Sequence, residues 1–164
     1  MGIIEAGGTA RPVQNRPAFS FYSFRVKKLH ADALIPTRSY ATDAGLDLYA
    51  VEDVTIFYRS QAIINTGIAV AIPENVVGLV YVRSSLGFKH NITLSNSVGV
   101  IDSAYRGELK VALTNHHNTS SYEVRRGDRI AQLVLTPILL ATPIEVDELD
   151  DTVRGEGGIG STGT

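Results

Sequence analysis

Three segments of the chain combine anion-binding groups with a carboxylate or an amide, and chemistry is expected there. Arg83-Ser84-Ser85-Leu86-Gly87 follows an apolar run and opens a predicted short helix. An arginine, two hydroxyls and free N–H groups at a helix start suit a phosphate. The same residues also suit an ordinary strand-to-helix junction with the Ser84 hydroxyl as cap. Gly99 to Glu108 sets Asp102 directly after Gly99-Val100-Ile101. A carboxylate there is either a turn cap or a base whose partial burial raises its basicity. Tyr105, three residues on, offers a flat face for a sugar or ring. Arg126 to Leu133 carries Arg129 and Gln132 at the start of an apolar strand. Asp47, enclosed by Leu46 and Leu48, needs a cationic partner if buried. Arg129 is the expected one.

Other chemistries lack their residues. There is no cysteine, hence no disulfide, thiolate site or cysteine nucleophile. His116 and His117 are adjacent in a polar turn, and His30 and His90 are isolated, so surface roles are expected in preference to metal ligation. No serine lies in a nucleophile-elbow context.

The elements that must position these groups read as β-structure. The 164 residues suit one domain, and 44% apolar with 20% charged residues can build a core. A formal charge of −2 speaks against a stable nucleic-acid complex. No apolar run is long enough to cross a bilayer and no secretory signal is seen, so a soluble intracellular protein without membrane contact is expected. Leu46–Ala50, Ile68–Ile72, Leu79–Val82 and Leu109–Leu113 alternate with period two, and Ile130–Leu135 is a longer apolar strand. Turn signals at Pro73-Glu74-Asn75, Asn115 to Asn118 and Arg126-Gly127-Asp128 separate them. The pattern predicts an all-β sandwich or jelly roll with at most one short helix near Ser84.

Both ends differ from this body. Residues 1–23 form a leader rich in glycine, proline and arginine, and Phe19 to Phe24 hold four of the twelve aromatics. The cluster is either a strand packed on the core or a neighbouring subunit, or a binding segment. Glu145 to Asp151 hold five acids, and Arg154 to Gly163 hold five of the fifteen glycines. Such a tail is either disordered or an arm whose N–H groups wrap an oxyanion.

Taken together and in order, five motifs resemble those of the trimeric deoxyuridine triphosphatases (dUTPases): Ala44 to Ala50, Arg83 to Gly87, Gly99 to Glu108, Arg126 to Leu133 and Arg154 to Gly163. The resemblance spans about residues 24–164. It implies a distorted jelly roll of the β-clip type, assembled as a homotrimer with exchanged C-terminal arms, and hydrolysis of dUTP to dUMP and pyrophosphate. The expected division is a leader over 1–23, a β domain over 24–152 and a mobile arm over 153–164.

On this resemblance Asp102 is the base that deprotonates the water attacking the α-phosphorus. Magnesium is held by triphosphate oxygens and waters, with no protein ligand. Arg83, Ser84 and Ser85 face phosphates, and Gln132 donates to the α-phosphate. Asn96 and Val100 belong to a hairpin, about Leu94 to Asp102, whose backbone reads uracil. Tyr105 lies under the deoxyribose. Arg154, Gly160, Ser161 and Thr162 clamp the γ-phosphate, while Asp47 and Arg129 form a supporting pair.

Two positions depart from the family pattern. Ile159 stands where an aromatic usually stacks on uracil, which predicts weaker substrate binding or arm closure. Ser85 replaces a glycine, giving an Arg-Ser-Ser-Leu run shared with the related dCTP deaminases. A deaminase needs a glutamate at the position that aligns with Ala112, so deamination lacks its proton carrier. A third reading keeps the scaffold as a trimeric nucleotide-binding regulator, with residues 1–23 as the place for a protein partner.

Overall fold

The computed structural model describes residues 23–158. Its first sheet has the order β1 (Arg25–Lys28), β4 (Ser60–Ala71), β8 (Glu108–Asn115), β6 (Ile92–Leu94). The second has the order β2 (Leu46–Tyr49), β10 (Arg129–Pro137), β5 (Val76–Val82), β7 (Gly99–Ile101). A two-stranded ribbon pairs β3 (Val54–Ile56) with β9 (Tyr122–Val124). Every pairing is antiparallel, and the architecture is the jelly-roll-like one expected.

The period-two segments become strands because alternate side chains point to opposite faces. In β8, Leu109, Val111 and Leu113 point inward and are almost wholly buried, while Lys110 faces solvent. They meet Leu48, Ile64, Ile92, Ile130 and Leu133 from the other strands in one core. Each such side chain contributes about 1.5–3 kcal/mol on burial. The second half of β4 breaks the alternation: Thr66 to Ala71 are all buried. Here β1 pairs along it, and the small residues Gly67, Ala69 and Ala71 admit neighbours on both faces.

The one helix among the described residues, α1 (Ser84–His90), lies where expected, but Ser84 does not cap it. Arg83 occupies the cap position, with φ −74° and ψ 139°, and no side chain bonds the first turn. Its carbonyl accepts the N–H groups of Leu86 and Gly87 at 3.0 and 3.2 Å. The helix stops at Asn91, whose left-handed φ of 54° suits asparagine.

The expected hairpin over Leu94 to Asp102 is also revised. β6 and β7 do not pair with each other but enter different sheets. Ser95 N–H bonds the Ala112 carbonyl at 2.9 Å, keeping β6 beside β8. Gly99, opposite Val80, then joins the second sheet, and Ser97 at φ 62° turns the chain across the gap. The histidines serve the surface: His116 Nε2 meets Thr93 Oγ1 at 2.8 Å, and His117 Nδ1 accepts the N–H groups of Thr119 and Ser120. No helix among the described residues is long and apolar enough to cross a membrane.

Candidate active site

The predicted site residues fall into two groups at opposite ends of β5. The first group is built on β2, β10 and the end of β5. In the ladder, Gln132 stands between Asp47 on one side and Tyr81 on the other. Asp47 is 9% exposed and accepts from Arg129 Nη1 at 3.2 Å, which is the expected pair. It also holds Arg83 Nε at 2.9 Å, a partner that sequence reading did not assign. One buried carboxylate thus carries two guanidiniums, each partly exposed, and the excess positive charge faces outward.

Neighbouring residues fix this group in place. Arg129 Nη1 reaches Ser39 Oγ at 3.1 Å, and Asp47 N–H bonds the Thr37 carbonyl at 2.7 Å. Gln132 donates to the Val82 carbonyl at 3.3 Å, directly before Arg83 and Ser84. A Cβ on Gly45 would collide with the Gln132 amide oxygen, so glycine makes room for that side chain. Tyr122, packed against His90 with ring centroids 4.8 Å apart, is the flank. Its pKa is raised above the ordinary 10.0 by burial first and the Asp128 charge second, while Arg83 draws it the other way.

The second group surrounds a cleft of about 220 Å³ lined by Val100, Ile101, Asp102, Tyr105, Glu108 and Lys110 among others. Asp102 follows the last residue of β7 and is exposed in the single chain. Its carboxylate caps no turn; the turn is closed by Tyr105 N–H on the Asp102 carbonyl, at 3.1 Å. Tyr105 OH donates to the Glu108 carbonyl at 2.9 Å, and the ring covers Gly107, where a Cβ would strike it. Val100 is 63% exposed and points away from the core. Asn96 lies in the crossing turn, near Gly99.

Ladder register separates the groups. Gly78 pairs with Ile101, so Asp102 adjoins the beginning of β5, whereas Arg83 follows its end. A strand rises about 3.3 Å per residue, which sets Asp102 and Arg83 on the order of 20 Å apart. Arg154 joins neither group and bonds the Gly157 carbonyl at 2.7 Å within its own turn. Ile159, Gly160, Ser161 and Thr162, like leader residues 1–22, lie outside the described residues.

Glu108 was passed over in the sequence because it closes a motif without the spacing of an acid–base pair. Ser39 was missed because a lone serine in a loop carries no signal. Among the described residues no three His, Asp or Glu side chains converge to hold a metal.

The fold is thus an antiparallel jelly roll that carries a carboxylate-lined cleft and a separate guanidinium and amide cluster. Residues 31–163 match the family model described as dUTPase. The chain is 48% identical over 139 residues to a deoxyuridine 5'-triphosphate nucleotidohydrolase of Nautilia profundicola, covering 85% of this chain and 97% of the relative. Among solved structures it resembles the Staphylococcus bacteriophage 80alpha dUTPase bound to dUPNHPP, with a TM-score of 0.82 and 32% identity over 87% of this chain and 99% of that one. That work describes phage dUTPases as controlling transfer of virulence genes by a G protein-like mechanism. A mutant dUTPase of phage phi11 of S. aureus, described with a coordinated structural Mg(II) ion, matches with a TM-score of 0.72 and 29% identity over 77% of this chain and 97% of that one. The chain belongs to the dUTPase family.

Proposed function

We propose that the protein hydrolyses dUTP to dUMP and pyrophosphate, as a dUTP diphosphatase, at sites shared between the subunits of a homotrimer. This activity limits uracil in DNA and supplies dUMP. The observation that carries the shared site is the separation along β5. Two groups that the family's reaction uses together stand about 20 Å apart in one chain, so a neighbouring chain must bring them face to face. Apolar side chains after β10 support assembly: Leu139, Leu140, Ile144 and Leu149 are 95, 72, 82 and 86% exposed in the single chain. Such a run needs a cover, and a neighbouring subunit supplies one.

In this reading Arg83, Ser84, Ser85 and Gln132 of one subunit bind the phosphates. Asp102 of another orients and deprotonates the attacking water. Phosphoryl transfer depends on positioning and charge neutralisation, and both fit this division. Val100 and the backbone around Asn96 read the base. Tyr105 packs under the deoxyribose and leaves no room for a 2′-OH. Arg154, Gly160, Ser161 and Thr162 close over the γ-phosphate end, and Ile159 covers the uracil. Bound magnesium would add charge neutralisation at the triphosphate oxygens. The donor set fits an ion brought by substrate: the exposed Asp102 carboxylate, without a side-chain partner among the described residues, is available to metal-bound waters.

The test is pyrophosphate release from dUTP, dCTP, dTTP and UTP with magnesium. Release from dUTP alone is expected. Release from none of them, by an assembled protein that binds dUTP, would overturn the enzymatic reading. It would favour the second one, a nucleotide-dependent regulator. The likeness to the phage 80alpha protein supports that reading. Competition between dUTP and a protein partner, removed by deleting residues 1–23, is its expected signature.

A further inference from the structure

The bulge in β4 and the turn that carries Asp102 are joined by one side chain. The β4–β8 ladder is regular from Ser60 to Asn65, which pairs with Lys110; the next pair is Ala69 with Glu108. β4 therefore advances four positions while β8 advances two. The surplus residues form a bulge centred on Gly67. Gly67 has φ +67°, and a Cβ there would run into Ala33 and His30. Its N–H has no ladder partner and is buried, and Glu108 Oε1 accepts it at 2.8 Å. The Thr66 hydroxyl donates to the Leu109 carbonyl beside it.

Glu108 faces both ways. Its side chain is 23% exposed and is turned toward the bulge, with Oε2 4.0 Å from Lys110 Nζ. Its carbonyl accepts the Tyr105 hydroxyl at 2.9 Å, and Tyr105 N–H in turn bonds the Asp102 carbonyl at 3.1 Å. A continuous series of bonds thus runs from the Gly67 N–H through Glu108 and Tyr105 to Asp102. The carboxylate oxygen in the series is already committed to an N–H, so its role is to place other groups and not to touch substrate. A bond from a buried N–H to a charged acceptor is among the stronger ones, and removing the acceptor leaves that donor unsatisfied.

We propose that Glu108 is a positioning residue for the reaction: anchored on the β4 bulge, it fixes the Tyr105 ring and with it the Asp102 turn in the nucleotide cleft. The inference rests on the dUTP reading above. Its test compares wild type, Glu108→Ala, Glu108→Gln and Tyr105→Phe as full-length assembled proteins, for kcat and KM on dUTP and UTP and for Tm. Glu108→Ala is expected to lower kcat on dUTP roughly tenfold and to narrow the dUTP-to-UTP ratio of kcat/KM by a similar factor. Glu108→Gln keeps an acceptor for Gly67 and is expected to recover most of both. Tyr105→Phe keeps the ring but cuts the bond to the Glu108 carbonyl, and is expected to narrow the ratio even if Glu108→Ala does not fold. A lowered Tm with kcat and the nucleotide ratio unchanged per folded protein would overturn the proposal. So would Glu108→Gln as defective as Glu108→Ala, or an unchanged ratio in Tyr105→Phe. Wild type that releases no pyrophosphate from dUTP would instead overturn the functional reading itself.

Discussion

At one end of β5, Asp47 is 9% exposed and clasped by Arg83 and Arg129; at the other, Asp102 is exposed, and its carboxylate has no partner among the described residues. The first end is assembled by the fold. Asp47 and Arg129 sit on adjacent strands, Arg83 follows the strand on the far side of β10, and Gly45 makes room for Gln132. The second end offers a carboxylate, a tyrosine face and exposed Val100 around an open cleft. In the proposed reaction the first end neutralises phosphate charge, and its side chains are already fixed by bonds to one another, as electrostatic preorganisation requires. A base gains from being enclosed only once the site is complete. The contrast fits the proposed division into two half-sites, each presented to a different neighbour.

Removing the proposed base should have the largest effect. Asp102→Asn keeps the shape of the cleft and the exposed position, so folding and dUTP binding should be preserved. General-base catalysis is worth about 10²–10⁴-fold, and turnover should fall on that scale. Pyrophosphate release beside nucleotide binding checks this. Near-normal turnover would remove Asp102 from its role and leave the open end without chemistry.

Mixed assemblies test whether the two ends act across subunits. Neither Asp102→Asn nor Arg83→Ala trimers should have appreciable activity. In a trimer containing both chains, one interface joins the intact Asp102 of one chain to the intact Arg83 of the other, restoring about one site in three by cyclic symmetry. Activity regained on subunit exchange is the expected outcome. None regained, with exchange verified by mass spectrometry of tagged chains, would place both ends in a single-chain site. The ladder register of β5 would then have to be wrong.

Legibility from sequence follows the same contrast. The β8 strand was readable because Leu109-Lys110-Val111-Ala112-Leu113 alternates, whereas Ile68–Ile72 alternates only in side-chain size, with Ile68 to Ile72 all buried. The Asp47–Arg129 pair was readable because an acid flanked by leucines demands a cation. That Arg83 shares the same carboxylate was not, since the two are joined only through the β2–β10–β5 order. Ser84 looked like a helix cap, yet the Arg83 carbonyl takes the bonds that close the first turn. The hairpin expected over Leu94 to Asp102 failed because local spacing cannot tell a two-strand return from a chain crossing between sheets. The motif residues came from a pattern of types, and their distribution over two ends of a strand appears only in three dimensions.

The enclosed end should reveal itself in stability, where the open end does not. Asp47→Asn leaves two guanidiniums facing a neutral amide. Both arginines are partly exposed, which discounts the loss, and a destabilisation of about 2 kcal/mol is expected in denaturant unfolding. Asp102→Asn should shift the same midpoint by less than about 0.5 kcal/mol. Equal shifts for the two variants would erase the distinction between a preformed and an open half-site.

The finest test is Gly45→Ala. A Cβ there meets the Gln132 amide oxygen, and the Gln132 Cβ and Cδ would lie 3.2 Å away. The amide ends a flexible side chain and can swing aside, so unfolding stability should change by less than about 1 kcal/mol. Swinging aside breaks its bond to the Val82 carbonyl and moves a donor off the position expected for the α-phosphate. One misplaced neutral donor is worth about 1 kcal/mol, or roughly fivefold in kcat/KM. A fivefold loss in kcat/KM with stability intact would show that this end is tuned by packing to within one methyl group. If stability falls while kinetics per folded protein are unchanged, Gly45 serves the sheet, and the precision of the enclosed end comes from its ion pairs alone.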